Sequence, residues 1–251
     1  MAHSETPTPP FGVRSFRTTA SHTIGVPHLI DLLRAVPADA SEAQYREAVV
    51  DQNVLGRPTH AGRQRSFRHL RELYLLDPAH LEFAALRHLW DLEPSARPLL
   101  AGILAFTRDG LLRASFSAVA AAVPGDAVTS ADLSRAAAIE QGTGLSEATL
   151  GKVGRNTGAC WTQTGHLHGR ARKVRTHVEA APAAIAYAAY LGHAAGRRGL
   201  DVLATPWAAL LDVAPQEHLV ALRRAHQRGL LDLQVAGNVV EVGFSLLDGS
   251  R

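Results

Sequence analysis

One cysteine, Cys160, stands in 251 residues. No internal disulfide can form, and the chain suits a reducing compartment. Apolar runs long enough to span a bilayer are missing too. The nearest approach, residues 180–195, is alanine-rich, is broken by Pro182 and His193, and falls short of the roughly 20 apolar residues a span needs. It reads as a buried helix. The first dozen residues lack the positive segment and apolar run of a secretory signal. The expectation is a cytoplasmic protein with no membrane contact.

Catalytic signatures are equally scarce. Six residues separate Gly144 from Gly151-Lys152, where a phosphate loop needs four. Val153 stands where Ser or Thr would hold magnesium. No dinucleotide fingerprint follows a strand, and neither an HExxH helix nor a paired-cysteine zinc pattern occurs. His166 and His168 have no nearby Cys or carboxylate, so a metal is not expected. Cys160 beside Trp161 reads as a packed thiol rather than a nucleophile. Arg108-Asp109 reads as an ion pair or a cap, with no second carboxylate for acid–base work. We expect no catalytic residues, no cofactor and no metal.

Acid is the most telling local absence. Between Glu147 and Glu179 there is no Asp or Glu, yet Lys152, Arg155, Arg170, Arg172, Lys173 and Arg175 are present. Asn156, Thr157, Thr162, Gln163 and Thr164 lie among them. Cations supply charge for phosphates, while short polar side chains supply hydrogen bonds that set register on a duplex. A second run, Arg57, Arg63, Arg65, Arg68 and Arg71, includes His60 and His69 and meets no acid before Glu72. Net charge is only +3, so the concentration of cations matters more than their total. The alternative for the first run is a solvated loop, and for the second a solvated helix face.

What is present is mostly helix. Residues 1–20 are polar and proline-rich and read as a disordered tail. From 21 to 125, apolar residues recur at helical spacing: Leu29, Leu32 and Leu33; Leu81, Phe83, Leu86, Leu89 and Trp90; Leu99, Leu100, Ile103, Leu104 and Phe106. This is a helical bundle. Pro124-Gly125 is the best junction. Beyond it, residues 126–180 read as a helix from Ser130, a short helix at 146–154, a turn at Asn156-Thr157-Gly158 and a helix over 159–167. A basic strand follows, with Val174, Thr176 and Val178 inward and Lys173, Arg175 and His177 outward. That order is a winged helix-turn-helix. Residues 181–251 repeat it more weakly: an alanine-rich helix, a helix started by Thr205-Pro206, one opened by Pro215, and a hairpin about Gly237-Asn238. This hairpin carries Asp232 and Glu241 and no Arg or Lys, so it suits packing or partner contact. The fold class expected is mainly α, an amino-terminal bundle followed by winged-helix-like units with short β-hairpins.

Particular stretches carry a family resemblance: NVLGRPT with the Arg run behind it, LYLLDP, ALRHLW, TRDGLLR, LSEATLGKVGRNTGACWTQTGHL, TPWAALLD and GLLDLQVAGNVVEVGF. In this order, over about residues 20–247, they resemble the BrxA family of BREX bacteriophage-exclusion systems, often labelled inner-membrane proteins. The resemblance implies a non-enzymatic DNA-binding accessory of phage defence, helical in the manner compared with NusB, working beside a methyltransferase and ATPase components. It assigns no catalytic residues, and the sequence does not support the membrane label.

Together these readings point to duplex DNA bound mainly through its backbone, with weak sequence preference. Lys152, Arg155, Arg170, Arg172, Lys173 and Arg175 would meet phosphates, Thr162, Gln163 and Thr164 would lie nearest base edges, and the Arg57–Arg71 run would be a second patch. An adaptor that assembles other defence components, or a winged-helix transcriptional regulator, are the alternatives.

Overall fold

Leucines three and four apart turn most of this chain into helices that hide one face. The computed structural model describes residues 16–141 and 145–248. It is mainly helical, with eleven α-helices and two small antiparallel hairpins among the described residues. α1 (Val26–Ala35) has Pro27 in its first turn and buries Leu29, Leu32 and Leu33. α2 (Glu42–Val50) begins at Ser41, whose backbone N–H donates to Gln44 Oε1 at 2.9 Å. Thr59 caps α3 (His60–Tyr74), its hydroxyl accepting the Gly62 N–H at 3.1 Å. α4 (Leu81–Leu92) and α5 (Arg97–Arg108) follow. Leu99 through Arg108 are all buried, because α5 packs against α1, α3, α4 and two later helices, α6 (Gly110–Ala120) and α9 (Pro182–Ala194).

Asp109 caps α6 by accepting the Leu112 N–H at 2.8 Å. Thr19 also binds it, its backbone N–H and hydroxyl both donating to the carboxylate at 2.8 Å. Burial pushes the Asp109 carboxyl up, and these hydrogen bonds oppose that shift. Residues 16–20, assigned from sequence to a disordered tail, are therefore ordered. Phe16 lies under Arg108 and pairs with the 108–110 backbone, and Thr19 is fully buried. Residues 1–15 of that tail fall outside the described residues.

α7 (Ser130–Gln141) packs on both α6 and α8 (Glu147–Gln163). After α8 come the two-residue strands β1 (Leu167–His168) and β2 (Val174–Arg175), and Ala127 bridges to Val174 beside them. Pro124-Gly125 is thus a turn inside a packed unit, since α6 before it and α7 after it lie against each other. Most of the buried apolar side chains, from Ile24 to Leu247, form a single cluster that crosses this point.

α9 is buried along nearly its whole length. Its alanines let neighbours approach, and Trp207 donates to the Ala188 carbonyl at 3.1 Å. Thr205-Pro206 opens only a single turn, Ala208–Leu211, and not a longer helix. Asp212 ends that turn in the left-handed conformation (φ 52°) because its carboxylate is tied to the β2 region. α10 (His218–Gln227) leads into β3 (Asp232–Ala236) and β4 (Val239–Gly243), and the short α11 (Ser245–Asp248) closes the described chain. Ala236 pairs with Val239 across the two-residue turn Gly237-Asn238. Among the described residues no helix is long and apolar enough to cross a membrane.

Candidate nucleic-acid interface

α8 runs unbroken from Glu147 to Gln163. The expected short helix, turn at Asn156–Gly158 and separate helix over 159–167 are therefore corrected to one helix. The small and polar residues that imitate a turn serve packing instead. A Cβ on Gly154 would lie 2.0 Å from the Ser130 carbonyl oxygen, and one on Gly158 would lie 3.2 Å from Leu133 and Lys173. Thr157 donates back to the Val153 carbonyl at 2.8 Å. Asn156 donates to the Thr19 carbonyl at 3.0 Å, tying the 16–25 segment to the helix.

Lys152 and Arg155 are exposed on α8, and Ala159 and Thr162 continue the same face half-buried. Spacings of three and four make this one stripe. The opposite face is closed. Cys160 and Trp161 are fully buried, with the indole N–H on Ser115 Oγ at 2.9 Å and the Ile24 N–H on the Cys160 sulfur at 3.3 Å. Burial pushes the Cys160 thiol well up, so it is no nucleophile at neutral pH.

Two of the three residues assigned to base edges are elsewhere. Gln163 accepts the Val26 N–H at 2.9 Å and so starts α1. Thr164 is buried, its hydroxyl 2.8 Å from His166 Nδ1. Thr162 lines the groove, where it accepts from Lys173 Nζ at 2.8 Å. His166 is enclosed while His168 is exposed, so the two do not share a site.

The hairpin divides its cations in the same way. Arg170 and Arg172 are exposed at its tip, and Lys173 is half-buried at its base. Arg175, expected on the outer face, is buried to 6 % exposure. Its guanidinium donates to the Val119 carbonyl at 3.1 Å, to Asp212 at 2.5 Å and to the Thr176 carbonyl. The carboxylate that draws it inward lies 37 residues further on, so period-two alternation cannot reveal it.

α8, the start of α7 and the hairpin enclose a groove of about 850 Å³. Arg155, Arg170, Arg172 and Lys173 line it, with Thr129, Ser130 and Thr162, and its lining holds no carboxylate. Among the described residues Lys152, Arg155, Arg170 and Arg172 have no ion-pair partner. Thr129 and Ser130 stand at the groove wall, a position that nothing in the sequence marked.

The second patch is mixed. Arg71 pairs with Glu42 at 3.0 Å, Arg63 reaches the Asp51 carbonyl at 3.5 Å, and Arg57 donates to His28 Nε2 at 2.9 Å. Arg65 and Arg68 are exposed and lack an ion-pair partner among the described residues. The 16–25 segment joins this patch to α8. Thr18 donates to Glu72 at 2.9 Å and the His22 ring lies 3.6 Å from the His69 ring on one side, while Asn156 and Cys160 hold it on the other. Nothing in the sequence marked that segment as the link. No protein-family model matches this chain, and no curated protein matches it either.

Proposed function

We propose that α6, α7, α8 and the β1–β2 hairpin form a winged helix, and that the chain binds duplex DNA through backbone phosphates. In this reading α8 faces the nucleic acid and the hairpin is the wing, with the Ala127–Val174 bridge adding a third strand position to the motif. The observation that carries it is the carboxylate-free groove with four cations in its wall. Lys152, Arg155, Arg170, Arg172 and Lys173 meet phosphates, and Thr162 alone of the three earlier residues lies near a base. Sequence preference is weak, because the exposed face of α8 offers one Arg and no Asn or Gln to the groove for bidentate base contacts. Arg65 and Arg68 extend the contact across the 16–25 segment. The resemblance to the BrxA family supports placing this activity in phage defence, as a non-enzymatic cytoplasmic accessory to methyltransferase and ATPase components.

Changing Lys152, Arg155 and Arg172 together to Ala tests this. Anisotropy on a mixed-sequence duplex should show much weaker binding, with the slope of log K against log salt reduced by about 3, roughly 0.9 per phosphate lost. The circular dichroism spectrum should be unchanged, because Lys152, Arg155 and Arg172 are all exposed. Unaltered affinity in a folded variant rejects the groove as the DNA site.

An adaptor role is favoured by one observation. The β3–β4 hairpin carries exposed Val235 and Val239, and α10 carries exposed Val220. Copurification with partner proteins after nuclease treatment would support that reading.

A further inference from the structure

We propose that the pocket where His22, His28 and His69 meet Arg57 is a site for a single phosphate group, separate from the α8 groove. The pocket lies between the 22–25 segment, the start of α1 and α3, and Ser66 completes its polar lining. Its volume is about 90 Å³. That is roughly the liquid share of three waters and far below the ~300 Å³ at which organic-ligand pockets begin. Only a group of a few heavy atoms fits.

The charge around it selects an anion. Arg57, Arg65 and Arg68 all act on His22, and Arg57 acts on His28. The two carboxylates facing these imidazoles are already engaged: Glu72 accepts from Thr18 at 2.9 Å, and Asp31 lies 3.7 Å from Arg34. A guanidinium cannot accept a hydrogen bond, so His28 Nε2 is the acceptor in its 2.9 Å contact with Arg57. His28 thus positions the Arg57 side chain. Arg57 Nε is enclosed with no hydrogen-bond partner, and such a donor calls for an ion or a water beside it. Gly25 caps α1, so the positive end of that helix adjoins the same space.

The His22 and His69 rings lie with centres 3.6 Å apart, tilted by 50° to each other. Burial first, then the nearby arginines, hold His22 below the usual histidine range; burial, then His22 and the arginines, hold His69 at about 4. A tetrahedral dianion accepting from both rings reverses that repulsion and raises both values. Binding then takes up protons, so affinity rises as pH falls from about 7 towards 5, by up to tenfold per pH unit for each proton taken up.

Calorimetry of the full chain with inorganic phosphate, at constant ionic strength, tests the site. Saturable binding is expected, weakened about tenfold or more in Arg57→Gln and in His69→Gln, the loss of one charge-assisted hydrogen bond. Sulfate, whose charge is constant across this range, should bind more tightly at lower pH. No saturable binding overturns the proposal, and so does equal binding by both variants or a pH-independent sulfate affinity. If Arg57→Gln does not fold, His22→Gln and His69→Gln decide the matter alone. A duplex titration identifies the source of the phosphate. Loss of duplex affinity in His69→Gln, with competition by inorganic phosphate, makes it a backbone phosphate; unchanged duplex affinity makes it a free one. The Lys152, Arg155 and Arg172 variant should keep its phosphate binding, so failure of the DNA reading and failure of this one are separable.

Discussion

Arg172 and Arg175 stand three residues apart in one basic run and do different work. Arg172 is exposed, whereas Arg175 is enclosed with Asp212 and three of its guanidinium nitrogens are engaged. Removing one partner of a buried pair strands the other charge. Asp212→Ala should therefore cost about 3–5 kcal/mol in denaturant unfolding, the more so because Asp212 also accepts the Val178 N–H at 2.9 Å. Arg172→Ala should stay within about 0.5 kcal/mol. Equal effects would mean that Arg175 is not structural. His166 nearby is also buried. Leu210 O can only accept, so His166 Nε2 carries the proton at 3.0 Å and Nδ1 accepts from Thr164. Burial holds His166 down at about 4, against 6.5 when unfolded. The unfolded chain then binds the extra proton between those values. Stability is full above pH 6.5 and is lost as pH falls towards 4, by about 1.4 kcal/mol per pH unit. Thermal melts across that window should show the loss, and His166→Gln should reduce it, leaving the part that His69 contributes.

Helix α8 depends on which of its glycines face a neighbour. At Gly154 an added Cβ meets the Ser130 carbonyl at 2.0 Å, while at Gly151 the nearest atom is the flexible end of Arg155 at 3.5 Å. Ala is the better helix former by about 1 kcal/mol, so Gly151→Ala should stabilise by about that amount. Gly154→Ala should destabilise by about 1–3 kcal/mol, because backbone cannot move aside as a side chain can. Opposite signs in paired chemical melts are the expected result; two stabilising changes would mean α7 and α8 do not cross closely. Local propensity misplaces a turn here for the same reason. Glycine, asparagine and threonine are what a loop uses, and they are also what a tight helix crossing uses. Only the partner surface, Ser130 to Ser134 and the Thr19 carbonyl, distinguishes the two.

Across the whole molecule, the junction that proline and glycine suggest is crossed by packed side chains on both sides. α6 supplies Ser115 to the Trp161 indole, Phe116 to the Trp161 and His166 rings, and the Val119 carbonyl to Arg175. A fragment of residues 126–251 loses all of these. It should lack a cooperative melt and dispersed amide resonances, whereas the full chain has both. A well-folded fragment would restore 125–126 as a domain boundary. The 16–25 segment is the other long-range tie, joining α3 to α8 and so bringing the two arginine-rich runs to either side of one strip of chain.

Most of the helices, the carboxy-terminal hairpin and the packed Cys160–Trp161 pair were legible in the amino-acid sequence, because each rests on periodicity or on neighbours close in sequence. So was the crowding of cations without acids. Tertiary structure alone decided which cations stay in solvent. Arg175 turns inward to a carboxylate far along the chain, and Gln163 and Thr164 turn to α1 and His166. Charge and spacing say how many cations a stretch holds; a buried partner, invisible to both, says which of them can meet a phosphate.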